Sequence, residues 1–164
     1  MYRFLAMFAV IMLFFSACSI KEQTIETSQP VKLIVKTPSV KLSGIGFYKR
    51  GGKYANLQIF SGGVITMDYK SAGNICINDK CMTRGIFNGH LFLYGHYDEL
   101  IDDILAQKPI YDSQNIIKTE GGFSQHVFKA EAFNISYETN ETEALFNDIQ
   151  NNITIQITKL GKEQ

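Results

Sequence analysis

The dominant pattern along the chain is alternation of apolar and polar residues. In Ile153-Thr154-Ile155-Gln156-Ile157-Thr158 every odd position is apolar and every even one polar. The same period recurs in Phe133-Asn134-Ile135-Ser136-Tyr137, in Ile65-Thr66-Met67-Asp68-Tyr69 and in Leu57-Gln58-Ile59. Successive side chains of a strand point to opposite faces, so this period predicts antiparallel strands with one dry face and one wet face. Turn signals separate the runs, among them Gly51-Gly52, Ser61-Gly62-Gly63, Asn78-Asp79, Asn88-Gly89, Gly121-Gly122 and Asn151-Asn152. Their close spacing predicts consecutive hairpins, a meander of nine to ten strands between Val31 and Leu160.

One segment has a different period. Over Tyr97–Gln107, the residues Tyr97, Leu100, Ile101, Ile104 and Leu105 fall on one helical face. Asp98 and Glu99 suit the positive end of the helix dipole, and Pro109 stops the run. The expectation is one amphipathic helix of about three turns, with Asp98, Glu99, Asp102 and Asp103 on its wet face. Residues 141–147 fit either a short helix or a strand. A sheet with one dry face must cover it. The pattern therefore predicts a mainly β domain of one of two kinds. The first is a curled, incomplete β-barrel with the helix packed inside or across it. The second is a β-sandwich. An alternating strand reads the same whether its dry face meets a ligand cavity or a second sheet.

The N-terminus has a different character. Arg3 supplies a charge, Phe4 to Phe15 is unbroken apolar sequence, and Ser16-Ala17-Cys18 closes it with small residues. That is the secretory pattern, and the run is too short to span a bilayer, which needs about 20 apolar residues. Phe15-Ser16-Ala17-Cys18 resembles the lipobox of bacterial lipoproteins. The resemblance implies cleavage before Cys18 and acylation of that cysteine, so that the chain is tethered to a membrane without crossing it. Ser19 stands where an aspartate would imply retention at the inner membrane, so the expected location is the periplasmic face of the outer membrane. The chain then divides into a signal peptide (1–17), a lipidated cysteine with a polar tether (18–30) and one domain (31–164).

The remaining cysteines fit an oxidising compartment. With Asn78-Asp79 as a two-residue turn, Cys76 and Cys81 face each other as the first non-hydrogen-bonded pair, about 4.5 Å apart at Cα and within disulfide range. No second ligand pair is spaced to complete a metal site with them, so no metal is expected.

Composition narrows the function by exclusion. The 164 residues carry 16 basic and 16 acidic side chains, which argues against a nucleic-acid partner. Phosphate-binding glycine motifs are absent, and no serine sits in a nucleophile elbow. His90 and His96 flank Leu91-Phe92-Leu93-Tyr94, which as a strand would part them by about 20 Å. They read as surface or turn residues, and His126 stands alone. Neither an enzyme nor a cofactor, beyond the lipid on Cys18, is expected. Glu138-Thr139-Asn140-Glu141-Thr142 carries an N-x-T triplet with an acid two residues before the asparagine. It matches the extended sequon of bacterial N-glycosylation and makes Asn140 a candidate acceptor.

The order of these features is a lipobox cysteine, a polar tether and the glycine-punctuated strand Leu42-Ser43-Gly44-Ile45-Gly46-Phe47. Hairpins follow, then the segment Tyr97–Gln107 before Pro109, and closing strands that end on Asn151-Asn152-Ile153-Thr154-Ile155-Gln156-Ile157. Over residues 40–160 this resembles the outer-membrane lipoprotein receptor LolB and its periplasmic relative LolA. The resemblance implies a curled, incomplete barrel lidded by helices, whose apolar cavity accepts the acyl chains of other lipoproteins from a periplasmic carrier and passes them to the outer membrane. Phe47, Leu57, Ile59, Ile65, Met67, Leu93, Leu100, Ile104, Phe133 and Ile135 are the candidate lining residues. The alternative function is a non-enzymatic envelope lipoprotein acting as a β-sandwich that binds or scaffolds a protein partner.

Overall fold

The computed structural model describes residue 25 and residues 27–161. Cys18, the segment 1–17 and most of the expected tether lie outside the described residues. Eleven strands form one antiparallel sheet: β1 (Thr27–Lys36), β2 (Lys41–Gly51), β3 (Tyr54–Ser61), β4 (Val64–Ser71), β5 (Ile75–Ile77), β6 (Lys80–Met82), β7 (Ile116–Thr119), β8 (Gly122–Lys129), β9 (Phe133–Thr139), β10 (Glu143–Asp148) and β11 (Ile153–Lys159). The first strand thus begins four residues before Val31. Residues 143–148 form a strand, which resolves the ambiguous 141–147 segment.

The strand order is β6-β5-β4-β3-β2-β1-β11-β10-β9-β8-β7. Two meanders, β1–β6 and β7–β11, are therefore zipped together where β1 meets β11, from Val31↔Lys159 to Lys36↔Thr154. The outer strands β6 and β7 do not pair with each other, so the sheet is curled and open. All strands belong to one sheet, which excludes the sandwich.

The curl is written into β2. Two of its inward positions are Gly44 and Gly46, opposite the buried Leu33 and Val31 of β1. A Cβ at Gly46 would lie 1.7 Å from the carbonyl oxygen of Gln58 on β3. The neighbouring backbone occupies the space where a side chain would stand, and only glycine permits so close an approach.

The chain between the two edge strands crosses the concave face. It contains two helices, α1 (Arg84–Phe92) and α2 (Leu100–Leu105), and a single 3-10 turn, Tyr111–Ser113. The short α2 replaces the three-turn helix expected over Tyr97–Gln107. Gln107 adopts a left-handed φ of 55° that ends the helical run, and Tyr97–Glu99 form a turn before it. The inward face is as expected: Leu100, Ile101, Ile104 and Leu105 are all buried. Helix α1 is new. Asn88-Gly89, read as a turn, lies inside it, and Leu91-Phe92 is helical and not strand. Thr83 caps its start, with the Ile86 amide donating to the Thr83 hydroxyl at 3.4 Å. Asn88 is fully buried, and its amide donates to the carbonyl of Tyr97 at 2.8 Å, binding the helix to the loop that follows.

Candidate functional site

The concave face is filled unevenly. On the β8–β11 side, aromatic rings close it. Phe92 of α1 meets Phe146 edge-on at 5.6 Å, and His96 lies against Phe133 at 5.0 Å between ring centroids. Ile110 is fully buried there, its backbone amide and carbonyl both bonded to the Gln125 side chain on β8. Burial depresses the His96 imidazole to about 4, against its ordinary 6.5. The ring is therefore neutral at pH 7. It is partly buried, not a free surface histidine, whereas His90 and His126 are exposed.

On the β1–β5 side a void remains between sheet and helices. Its volume is about 180 Å³, and its walls are wholly apolar. Leu33, Val35, Leu42, Leu57 and Met67 form the sheet wall, and Phe87, Leu91, Ile101 and Leu105 form the helical one. Tyr69 contributes its ring, while its hydroxyl turns away to donate to Asp102 at 2.7 Å. It opens to solvent past the exposed Val40, and its walls offer water no hydrogen-bond partner, so its chemistry suits an apolar ligand.

A polar clasp holds the helices over the void. Asp102 of α2 accepts from Tyr69 and from Ser71 on β4, the latter at 2.8 Å, and from the guanidinium of Arg84 at the start of α1. Arg84 also donates to Ser71 Oγ at 2.6 Å and to the carbonyl of Gly73 at 3.0 Å. Three elements thus meet at one carboxylate. Burial and the adjoining Asp102 carboxylate push the Tyr69 phenol far above its ordinary value, which keeps it a donor. Asp102 was expected on the wet face but is a junction. Asp103 is likewise engaged, accepting from Tyr97 at 3.1 Å, and burial raises its carboxyl.

The disulfide joins Cys76 of β5 to Cys81 of β6 in the expected register. Asn78 and Asp79 both adopt positive φ, 48° and 65°, as the two-residue turn requires. The bond lies on the edge hairpin from which α1 departs.

Of the ten candidate lining residues, Leu57 and Met67 border the void. Ile59, Leu100, Ile104, Phe133 and Ile135 are buried in the filled core. The other three are corrected. Phe47 is 45% exposed, because the inward positions of β2 are the even ones, Gly44, Gly46 and Tyr48. Ile65 is also 45% exposed, because a bulge at Ile59/Phe60 shifts the register and pairs Ile65 with the outward Phe60. Leu93 caps the C-terminus of α1 in the left-handed conformation, facing solvent. Sequence reasoning missed the helical wall at Phe87 and Leu91. Their i, i+4 spacing behind a threonine cap was the available signal.

Asn140 is exposed in the β9–β10 turn, and its side-chain oxygen accepts from the Thr142 amide and hydroxyl at 2.9 and 3.1 Å. Among the described residues no group of three or more histidine, cysteine or acidic side chains is placed to hold a metal, and no helix is long and apolar enough to cross a membrane. A broader concavity, about 550 Å³, is an open trough bordered by Arg50, Lys53, Lys108, Asp98 and Glu99. Its mixed charges do not suit an apolar ligand. No protein-family model matches the chain, and no curated protein matches it.

Proposed function

We propose that the protein is a membrane-anchored acceptor of acyl chains, tethered through Cys18, that helps place lipoproteins at the outer membrane. The observation that carries this reading is the wholly apolar void held between the curled sheet and the α1–α2 pair. At about 180 Å³ it is smaller than the ~300–1,000 Å³ of sites that enclose a drug-sized ligand. In this reading the arrangement described is the chain-free state, and a bound chain needs a wider site. A chain enters as α1 and α2 lift from β4, which the Arg84–Asp102–Ser71 clasp controls. Transfer of this kind needs no catalytic group, only an apolar site deep enough to compete with a bilayer for methylenes, each worth about 0.8 kcal/mol when buried.

The test is a titration of residues 19–164, which contain every described element, with an environment-sensitive apolar dye. Saturable binding near one site per chain, displaced by a triacylated lipopeptide, supports the reading. A folded domain that binds no dye has a closed core and defeats it.

A further inference from the structure

The convex face of β1–β4 has a composition that the cavity does not explain. Cross-strand register puts Ile45 beside Phe60, and Phe60 beside Ile65, in one outward row. Phe47 joins them, its ring meeting that of Phe60 edge-on at 6.2 Å. Ile45 is 57% exposed, and Phe47 and Ile65 are each 45% exposed. Strand alternation normally reserves such positions for polar residues, so a contiguous aromatic and aliphatic patch here signals a surface that meets something.

The charges that flank it on β1 and β2 are basic. Lys32 pairs with Ile45, Lys36 pairs with Lys41, and Lys49 lies two residues beyond Phe47 on the same face. From Thr27 to Met67 the chain holds six basic residues and no acidic one. All the acidic residues of the domain lie elsewhere, although the whole chain is balanced at 16 of each. The acids that share this face lie at its margins: Asp68, opposite Gln58, shares Lys70 with Asp79 of the β5–β6 turn at 2.9 and 3.2 Å, and Glu143 lies two strands from Lys32, beyond Thr158.

We propose that this face docks on an anionic lipid bilayer, with Ile45, Phe47, Phe60 and Ile65 entering the headgroup boundary and Lys32, Lys36, Lys41 and Lys49 meeting lipid phosphates. Apolar side chains ringed by lysines are the chemistry of interfacial binding, which combines buried apolar area with attraction to anionic lipid. The position suits the anchor, because β1 begins nine residues after Cys18, a reach of at most about 30 Å. Docking does not require the cavity to bind anything.

The chain contains no tryptophan, so a single reporter can be placed at will. F47W reports the patch. I117W reports an outward position on β7, where Ile117 is 66% exposed. Each full-length variant is reconstituted in phosphatidylcholine vesicles with and without phosphatidylglycerol, with brominated lipid as quencher. The expected result is a blue-shifted and quenched F47W in anionic vesicles, an unquenched I117W, and loss of F47W quenching in high salt. In the F47W background, K32Q and K41Q should each lower the docking equilibrium about fivefold. Equal quenching at both positions, or quenching indifferent to charge and salt, overturns the proposal. So does a blue shift of F47W that grows with protein concentration without vesicles, which marks self-association.

Discussion

Removing the Asp102 carboxylate should loosen the helices from the sheet before it unfolds the sheet itself. In Asp102→Ala, Tyr69 and Ser71 lose their acceptor and Arg84 loses its counter-charge. Breaking a buried ion pair by deleting one partner costs about 3–5 kcal/mol. Here the Arg84 and Asp102 side chains keep 13% and 21% of their exposure, and Arg84 retains Ser71 and the Gly73 carbonyl. The expected loss is therefore smaller, about 2–3 kcal/mol, a fall in the urea midpoint of roughly 1–2 M. Replacing both charges by apolar side chains, Arg84→Met with Asp102→Leu, should recover all but ~1 kcal/mol, because the orphaned charge is the main cost. The double-mutant cycle, read by urea denaturation, should give a coupling above about 1 kcal/mol. A second readout follows the gating role: apolar dye should enter Asp102→Ala faster than the parent. Additive single substitutions would refute the pairing. A destabilised Asp102→Ala with unchanged dye entry would refute the gate.

Further expectations rest on other parts of the structure. Gly46→Ala should cost about 3 kcal/mol or more, since its Cβ meets backbone at 1.7 Å, whereas Gly44→Ala meets the movable Ile59 side chain at 2.3 Å and should cost less; thermal melts compare them. Stability should fall with acid through His96. The unfolded imidazole takes a proton near 6.5 and the folded one only near 4, so the contribution is complete above pH 6.5 and is lost as pH falls towards 4. Allowing for the partly exposed ring, the loss at pH 5 is about 1 kcal/mol, and His96→Phe should remove that part of the pH dependence. Leu91→Phe should fill part of the void, leaving stability within about 1 kcal/mol of the parent while weakening dye binding several-fold. Opening the Cys76–Cys81 loop by paired serine substitutions should cost about 2 kcal/mol in chemical denaturation.

The sheet was legible because period two leaves little choice over long runs: Ile153–Thr158 and Phe133–Tyr137 point as their alternation says. The disulfide hairpin was legible because Asn78-Asp79 permits the turn that aligns Cys76 with Cys81. The lid was less so. Helix α1 contains Gly85, Asn88 and Gly89, poor helix formers that tertiary contacts override, chiefly the buried Asn88 and Phe92. The inward face of β2 was hidden because two of its inward residues, Gly44 and Gly46, carry no side chain, so the apolar Phe47 marked the wrong side. The bulge that turns Ile65 outward has no local signature in the alternation. The Asp102 clasp joins residues 13 to 33 apart in sequence and depends on how the crossing segment lies on β4.

The proposed acceptor role places an acyl chain under α1 and α2, against the sheet. The most direct measurement is the nuclear Overhauser contacts of a bound, isotope-labelled acyl chain with methyl groups of the protein. Contacts are expected from chain methylenes to the methyls of Met67, Leu57 and Leu91, all of which border the void. Contacts confined to Ile45 and Ile65 on the convex face, or none from a folded protein saturated with ligand, would contradict it.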